Sequence, residues 1–369
     1  MLAYKRQIEN RDDITYPFYA DLPGYEQAEA EATKEVVAKQ LERGLPVVTD
    51  GEFSKSMWHL DFVWGLGGVE RHIADHGYFF RDKGNCGHYE TRKDIGVRIT
   101  APLSGKNHHF IQVYKRLAAL VPDGTPLKQC VWAPAHAYTE LAVFDKLAGE
   151  GQVCKTNAEL KNGIIAAYKE FVAEYKEAGG KILQFDDCLW ELFSADVENS
   201  PFTGGADSME AQGIAEEFTA INNAVVDYAH SLGLTVWTHN CRGNYASRNM
   251  GGGSYSSIAK LFLGGQRYDR FFLEWDDDRA GSLAALEVFK NNGAEIVLGL
   301  LSSKTNTLGD EARAFQLLDE ASAILPKERL FLSHQCGFAS CDGGNELTEA
   351  EQWAKIDQGQ KIASTYWGE

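Results

Sequence analysis

Long apolar runs are missing from the sequence. Charged residues interrupt every stretch before it approaches the roughly 18 apolar residues that a membrane-spanning helix needs. The opening residues, MLAYKRQIENRDD, also lack the apolar segment of a secretory signal peptide. We therefore expect a cytoplasmic protein that does not enter a membrane.

Positive charge is in short supply. Lys and Arg total 36 against 53 Asp and Glu, which gives a formal net charge of −17. Nucleic acids and anionic lipid surfaces are both bound through clustered basic side chains. The composition therefore argues against nucleic-acid and membrane partners, while a homo-oligomer stays open.

Cysteine is scarce, and its number is odd. Disulfide-stapled secreted domains carry an even number of cysteines at regular spacing, which this sequence does not show. Free thiols in a reducing compartment are available as metal ligands. The seven cysteines are Cys86, Cys130, Cys154, Cys188, Cys241, Cys336 and Cys341.

What the sequence does contain is a regular alternation of apolar runs and amphipathic stretches. The apolar runs are nearly continuous, as buried parallel strands require, and only the first is weak because Pro17 interrupts it. The alternation predicts an α/β fold, specifically a closed (β/α)8 TIM barrel. Strands are predicted at 14–19, 46–50, 127–133, 181–186, 234–239, 270–274, 295–300 and 329–334.

The amphipathic stretches between these strands predict the helices of the barrel. Apolar residues recur at helical spacing among Glu and Lys, and the pair Gly179-Gly180 marks the end of one helix. Helices are predicted at 25–43, 157–178, 207–232, 255–263, 281–292, 309–323 and 347–365.

Residues 65–126 interrupt the alternation and are rich in glycine, histidine and charge. We interpret them as a segment inserted after the second strand, in which 97–102 forms half of a hairpin. The weak first strand makes the N-terminus atypical for a barrel. Because no linker is visible, residues 1–369 are predicted to form a single catalytic domain.

Polar side chains stand where the predicted strands end. The carboxyl ends of barrel strands meet at one face and form the active site of such enzymes, so these side chains are expected to gather there. They are Asp50, Glu52, Asp186, Asp187, His239, Cys241, Glu274 and Cys336.

Four of these residues form a candidate metal site. His239 and Cys241 are two apart, so both side chains can project to one side of an extended chain. Glu274 ends the next strand, and Cys336 follows the last one. Thiolate, imidazole and carboxylate ligands together favour tetrahedral Zn²⁺ over Mg²⁺ or Ca²⁺. An isolated His-x-Cys is more often a buried core pair, and only the addition of Glu274 and Cys336 favours a metal.

The charge of this ligand set suggests thiol activation. Zn²⁺ with two thiolates and one carboxylate carries a net charge of −1, which stays the same if a substrate thiolate replaces Glu274. A coordinated thiol loses its proton readily and becomes a nucleophile. We hypothesise that Glu274 is a displaceable ligand and that the bound substrate is a small thiol.

The remaining acids have two readings each. Asp187 and Asp186 could bind an ammonium group or relay a proton, or they could cap the following helix, and Asp187 is the better catalytic candidate. Asp50 and Glu52 share this ambiguity.

Two further residues near the strand ends are candidates for substrate binding. Trp58 belongs to an aromatic-rich stretch that either packs in the core or forms a flat substrate platform. Arg279 could pair with a substrate carboxylate or brace the neighbouring acids.

Several stretches of the sequence resemble one known family. The chain is similar to the catalytic barrel of the cobalamin-independent methionine synthases, and most similar to their shorter single-barrel relatives, from about residue 26 onward. The matching stretches are VVTDGEFSKSMWHLDFVWGL (47–66), LQFDDCLWE (183–191), WTHNCRGNY (237–245), FFLEWDDDRAG (271–281), VLGLLSSKT (297–305) and LFLSHQCGFAS (330–340).

The resemblance implies a zinc cofactor, homocysteine as the thiol and a methyl-folate as the methyl donor, with methionine as the product. It places Asp187 near the substrates and Glu52 at the amino-acid end of homocysteine. Two alternatives stay open. One is a related zinc enzyme that adds a thiol to another electrophile, as the epoxide-opening coenzyme M transferases do. The other is a barrel that binds zinc or a thiol without catalysis.

Overall fold

The structure is a computed structural model that describes residues 23–81, 88–144, 152–193, 209–341 and 343–368. Within the predicted insertion, two antiparallel strand pairs form, β1 with β4 and β2 with β3. The predicted half-hairpin 97–102 lies inside β4, and its partner is β1. These strands are β1 (Gly67–His72), β2 (Phe79–Arg81), β3 (His88–Glu90) and β4 (Gly96–Ser104).

The centre of the described fold is a six-stranded parallel sheet. Its strands lie side by side in chain order, from β5 to β10. Most of their apolar side chains are buried, as is typical of a parallel sheet. The strands are β5 (Lys128–Trp132), β6 (Ile182–Asp186), β7 (Thr235–Asn240), β8 (Arg270–Glu274), β9 (Glu295–Leu301) and β10 (Leu330–His334).

Helices precede, separate and follow these strands. Side-chain caps mark several of their starts, including Thr156, Asp310 and the Thr348–Glu351 capping box. The helices are α1 (Tyr25–Glu42), α2 (Leu60–Trp64), α3 (His109–Ala118), α4 (Pro134–Thr139), α5 (Asn157–Glu177), α6 (Met209–Ser231), α7 (Glu311–Ser322) and α8 (Glu349–Trp367).

The predicted α/β class and six of the eight predicted strands are confirmed. The strand predicted at 46–50 is wrong as an extended element, since only Val48 forms an isolated parallel bridge, to Leu127. The chain turns away directly afterwards because Gly51 and Glu52 both adopt positive φ angles. The strand predicted at 14–19 lies outside the described residues. Closure into an eight-stranded barrel and the single-domain boundary 1–369 therefore stay predictions.

Five of the seven predicted helices are confirmed to within a few residues, as α1, α5, α6, α7 and α8. The other two are wrong as α-helices. Residues Tyr255–Ser257 and Leu283–Asn291 form 3₁₀ turns, and Ala259–Leu263 forms a single π turn. Such short runs connect neighbouring strands without room for a full α-helix.

His108 joins the insertion to the rest of the fold. Its Nε2 donates to the Phe62 carbonyl at 2.8 Å, and its Nδ1 accepts from the Phe110 amide at 3.1 Å, which caps α3. Burial lowers the pKa of His108 to about 4, so the ring is neutral and can play both roles. Its ring also stacks on Phe62, which meets Phe171 of α5 edge to face.

Gly105 lies where the end of β4 presses against α5. A β-carbon at this position would come within 1.9 Å of the backbone oxygen of Ala167. Gly163, inside α5, has only a side-chain carbon of Leu103 near its missing β-carbon, at 3.7 Å. The two glycines therefore offer a matched pair of substitutions.

We expect Gly105→Ala to lower the free energy of unfolding by about 2 kcal/mol or more, because helix backbone cannot move aside cheaply. Gly163→Ala should instead raise it by roughly 0.5–1 kcal/mol, since alanine favours a helix interior. Urea denaturation of both variants measures this. Equal stability of Gly105→Ala and the parent protein would show that the insertion does not pack on α5 as described.

Candidate metal centre and adjoining cavity

The parallel register brings the predicted ligand residues to one edge of the sheet. Asp186 of β6 pairs with His239 of β7, which in turn pairs with Phe272 of β8. Glu274 closes β8, and Cys241 follows β7 directly. Parallel strands end at the same edge, so residues distant in sequence become neighbours here.

The structure brings together one ligand atom from each of His239, Cys241, Glu274 and Cys336, all within 4.8 Å of one another. The two sulfur atoms are 3.8 Å apart. That is too long for a disulfide, whose sulfurs lie about 2.05 Å apart. It equals the spacing of about 3.8 Å that two sulfurs would have on a tetrahedral zinc with Zn–S distances of about 2.3 Å.

The polar atoms of this cluster are arranged as a ligand set. The Nδ1 of His239 lies 3.3 Å from the Phe272 carbonyl, which leaves Nε2 buried and without a hydrogen-bond partner. The Oε1 of Glu274 accepts from the Arg242 amide at 3.1 Å, whereas its buried Oε2 has no hydrogen bond. Buried polar atoms are rarely left this way, and one bound cation would satisfy both. The residues present therefore fit a zinc ion.

Burial and mutual contact shift the pKa values of the cluster. Burial raises the pKa of Glu274 to about 7. Burial lowers the pKa of His239, but the Cys336 thiolate outweighs this and raises it to about 9. A hydrogen bond from Cys241 holds the pKa of Cys336 well below its usual range, and hydrogen bonds with Cys188 and Cys336 raise that of Cys241. A metal must displace the protons that His239, Cys241 and part of Glu274 hold near neutral pH.

Arg242 and its neighbours hold Glu274 of the cluster in place. Its side chain is almost fully buried and pairs with Glu191 at 2.9 Å. The guanidinium also lies over the ring of Tyr255, 4.5 Å from its centroid. The Tyr255 hydroxyl in turn accepts from the backbone amide of Glu274 at 2.9 Å. Glu274 is thus fixed through both its backbone and one carboxylate oxygen.

A buried network joins the loops that follow β7, β9 and β10. The side-chain nitrogen of Asn345 donates to the side-chain oxygen of Asn244 at 2.8 Å and to the Ser303 carbonyl at 3.0 Å. Asn244 and Ser303 both donate to the carbonyl of Gly337, the residue after Cys336. Asn345 therefore holds together the loops that carry Cys241 and Cys336.

A cavity of about 510 Å³ opens beside the cluster. Its wall includes three of the four candidate metal ligands, His239, Cys241 and Cys336. It also includes four residues predicted from the sequence to bind substrate or take part in catalysis: Asp50, Glu52, Trp58 and Asp186.

The acids on the cavity wall have defined partners. Glu52 forms an ion pair with the buried ammonium of Lys55, which also donates to the Cys130 carbonyl at 2.9 Å. Asp186 accepts from the Gln184 side chain at 2.6 Å, and burial raises the pKa of Asp186 to about 6. Ligand atoms of Glu52, Cys130 and Asp186 lie within 4.8 Å of one another. Since Lys55 already pairs with Glu52, Asp186 and Asp50 are the carboxylates of this wall that remain for a cationic group.

The loops on either side of the cavity are tied to each other. The amide of Trp58 donates to the Ser340 carbonyl at 3.0 Å, and Met57 forms an antiparallel bridge with Cys341. From the insertion, Arg92 donates to the hydroxyl of Ser56 at 2.6 Å. One role of residues 65–126 is therefore to brace the loop that carries Glu52 and Trp58.

Two predicted residues lie elsewhere. Asp187 is fully buried and is not on the cavity wall; it accepts from the Leu189 amide and from the side chains of Trp190 and Asn222. Arg279 pairs with Asp277 at 2.7 Å and donates to a loop carbonyl, so it braces the neighbouring acids. The catalytic role of Asp187 and the substrate role of Arg279 stay predictions.

Sequence reasoning missed the residues that support the cluster. Arg242 and Asn244 follow the ligand Cys241 within the same motif, and that proximity was an available signal. Asn345 carried no such signal, because its partners are distant in sequence and only the folded loops bring them together.

Two proteins of Bacillus subtilis are similar to the chain over most of its length. The uncharacterised protein YxjH is 35% identical over 333 residues, which cover 90% of this chain and 84% of the relative. The uncharacterised protein YxjG is 32% identical over 348 residues, which cover 92% of this chain and 86% of the relative. No protein-family model matches the chain.

A solved structure from Listeria monocytogenes, assigned to the vitamin-B12-independent methionine synthases, is 26% identical to this chain. The comparison gives a TM-score of 0.68 and covers 100% of this chain and 94% of that one. The chain belongs to one family with YxjH and YxjG. The Listeria structure links this family to the cobalamin-independent methionine synthases. The predicted family is therefore confirmed, and membership of it supports a methyltransferase activity.

A B12-independent methionine synthase from a Shewanella species, in complex with selenomethionine, shares the fold. It has a TM-score of 0.68 at 18% identity and covers 96% of this chain and 92% of that one. Among the helices of the described residues, none has the length and hydropathy needed to cross a membrane.

We expect the affinity for Zn²⁺ to rise steadily between about pH 6 and about pH 9. Protons compete with the metal, and this competition eases as pH passes about 7 for Glu274 and about 9 for His239. Chelator competition across this range measures the affinity, and calorimetry in different buffers measures the protons released. An affinity independent of pH would contradict the described ligand set.

We expect Asn345→Ala to weaken zinc binding by about 10–100-fold, because the loops of Cys241 and Cys336 lose their shared anchor. Asn306→Ala, an exposed asparagine in the loop after β9, should bind zinc like the parent protein. Zinc affinity and the melting temperature should be measured together. Unchanged zinc affinity in Asn345→Ala would show that the network does not position the ligands.

Proposed function

We propose that this protein is a zinc-dependent methyltransferase that moves a methyl group to the sulfur of homocysteine, giving methionine. The methyl donor is proposed to be a methyl-folate. The observation that carries the proposal is the convergence of four ligand atoms in which His239 Nε2 and Glu274 Oε2 have no hydrogen bond in the protein. Family membership supports the methyltransferase class.

His239, Cys241, Glu274 and Cys336 would hold the zinc ion. When bound, zinc would lower the pKa of a substrate thiol so that the nucleophilic thiolate forms near neutral pH. The protein's own contribution is to fix these side chains before substrate arrives. Arg242 orients Glu274, and the Phe272 carbonyl orients His239.

The acidic wall of the cavity is proposed to bind the ammonium group of homocysteine. Glu52 and Asp186 face this space beside the thiol ligands, and Asp50 lies next to them. Asp186 is buried, so little water would screen its attraction for an ammonium group, whereas Glu52 is half-buried and shares its charge with Lys55. Trp58, on the same wall, offers a flat apolar surface for the methyl donor.

The positions of Asp186 and Asp187 indicate which of the two neighbouring aspartates contacts the substrate. Asp186 lines the cavity, whereas the Asp187 carboxylate accepts hydrogen bonds from Leu189 in the turn after β6 and from Asn222 of α6. We infer that Asp186 is the acid that meets the substrate and that Asp187 keeps Asp186 and His239 in place. The Asp187 amide donates to the His239 carbonyl at 2.8 Å, which ties the two strand ends together.

We also infer that the six parallel strands belong to a closed (β/α)8 barrel. Val48 already pairs in parallel with Leu127 beyond the β5 edge of the sheet, which marks the place of a further strand. The family of the chain supports this architecture.

The function is tested with purified protein, first by metal analysis and then by a matrix of substrates. Homocysteine and coenzyme M are each combined with methyl-tetrahydrofolate, methylcobalamin and an epoxide. We expect about one zinc per chain and methionine formation from homocysteine. Turnover only with the epoxide would favour the thiol-addition alternative, and bound zinc without any turnover would favour a non-catalytic barrel.

We expect Cys336→Ser to lose both zinc and methyl transfer while the fold survives, because a hydroxyl is a poor zinc ligand in place of a thiolate. Cys154→Ser is the control, since this buried thiol lies before α5 and is not on the cavity wall. Metal content, circular dichroism and methionine production are measured for both. Full zinc content in Cys336→Ser would refute the ligand assignment.

A further inference from the structure

Lys304 places a buried ammonium group beside the metal-ligand cluster. It lies in the loop after β9, and its side chain is only 10% exposed. Its Nζ lies 3.9 Å from Oε2 of Glu274, the oxygen that has no hydrogen bond. The ammonium itself also has no hydrogen-bond partner. A charged group is costly to bury in this way unless opposite charges surround it.

Two other buried basic side chains near this edge are engaged differently. Arg242 is paired with Glu191 and stacks on Tyr255. Lys355 donates to the carbonyls of Ser302 and Thr307, so its ammonium closes a loop. Lys304 alone among these three faces the ligand cluster without making a hydrogen bond. The charges of the cluster and of the nearby Asp276, and not a hydrogen bond, account for its position.

The charge of the cluster indicates what this ammonium does. A divalent cation with two thiolates and a carboxylate carries a net charge of −1, which Lys304 offsets, while the Asp276 carboxylate adds a further negative charge near the ammonium. A substrate that arrives as a thiolate adds another negative charge in a space with little water. Opposite charges attract strongly where little water screens them, so a fixed cation at this position strongly influences which ligand binds. A neutral sulfur ligand would gain nothing comparable.

We propose that Lys304 determines substrate specificity by making this centre accept an anionic sulfur in preference to a neutral one. The thiol proton leaves to solvent on binding, and Lys304 keeps its own protons and exchanges none with the substrate. The ligand class is therefore a small thiol that binds as thiolate, and the thioether product, which is neutral, binds less strongly. This inference rests on the proposed function, because it assumes that a thiol binds at the cluster.

The test compares Lys304→Met and Lys304→Arg with the parent protein, each loaded with zinc. Isothermal titration calorimetry measures the affinity for homocysteine, which can bind as thiolate, and for methionine, whose sulfur is neutral. We expect Lys304→Met to weaken homocysteine binding at least about tenfold while methionine binding changes by less than about threefold. Lys304→Arg should keep most of the preference for homocysteine, because it keeps the charge.

Lys355→Met is the control for the loss of a buried lysine. It should lower the melting temperature but leave the ratio of the two affinities unchanged. A loss of both affinities in Lys304→Met would mean that the lysine only maintains the structure of the site. Equal homocysteine affinity in Lys304→Met and the parent would mean that the charge of Lys304 does not influence thiolate binding. Either result overturns the proposal for Lys304 alone. If the zinc-loaded parent binds neither ligand, the proposed function itself fails, and this inference with it.

Discussion

The site depends on holding several negative groups close together inside the protein. Two thiols, a carboxylate and an imidazole converge within 4.8 Å, and three of them are anions when they bind a metal. Such groups repel one another, and burial makes the repulsion stronger. Contacts with the surrounding structure hold these groups in place. The Arg242 amide donates to Glu274, the Phe272 carbonyl contacts His239, and the ammonium of Lys304 lies close to Glu274. Burial raises the pKa of Glu274, and the Cys336 thiolate raises that of His239, so both groups hold protons where a metal cation would otherwise bind.

The loops at this edge are rigidly connected, as such a cluster requires. Sheet strands supply His239 and Glu274, but Cys241 and Cys336 lie just beyond strand ends, where the backbone makes fewer hydrogen bonds to neighbouring strands. In place of backbone hydrogen bonds between strands, Asn345 and Ser303 join three loops through buried side-chain hydrogen bonds. A ligand set needs its donor atoms held to a fraction of an ångström, and side-chain hydrogen bonds between loops provide that precision.

The insertion contributes to the site from outside the sheet. His108 and Phe62 seat it against α5, and Arg92 reaches Ser56 in the loop that carries Glu52. The acidic wall of the cavity thus depends on a segment that interrupts the barrel pattern. The part of the wall that carries Glu52 and Trp58 therefore comes from outside the sheet, whereas His239, Cys241 and Cys336 form the metal-facing part of the same wall.

The sequence by itself determined the α/β class, six strands, five helices and the four candidate ligands. Strand patterns are local, and polar residues at strand ends stand out, so His239, Cys241, Glu274 and Cys336 were accessible without a structure.

The tertiary structure alone decided which neighbouring polar residues face the cavity. Asp186 and Asp187 are adjacent, yet only Asp186 lines it, because the turn after β6 directs the next side chain toward Asn222. The strand at 46–50 was overestimated because the positive φ angles of Gly51 and Glu52 cannot be read from apolar periodicity. Likewise Lys304 and Asn345 gain their roles only from loops that fold together over long separations in sequence, which no local pattern records.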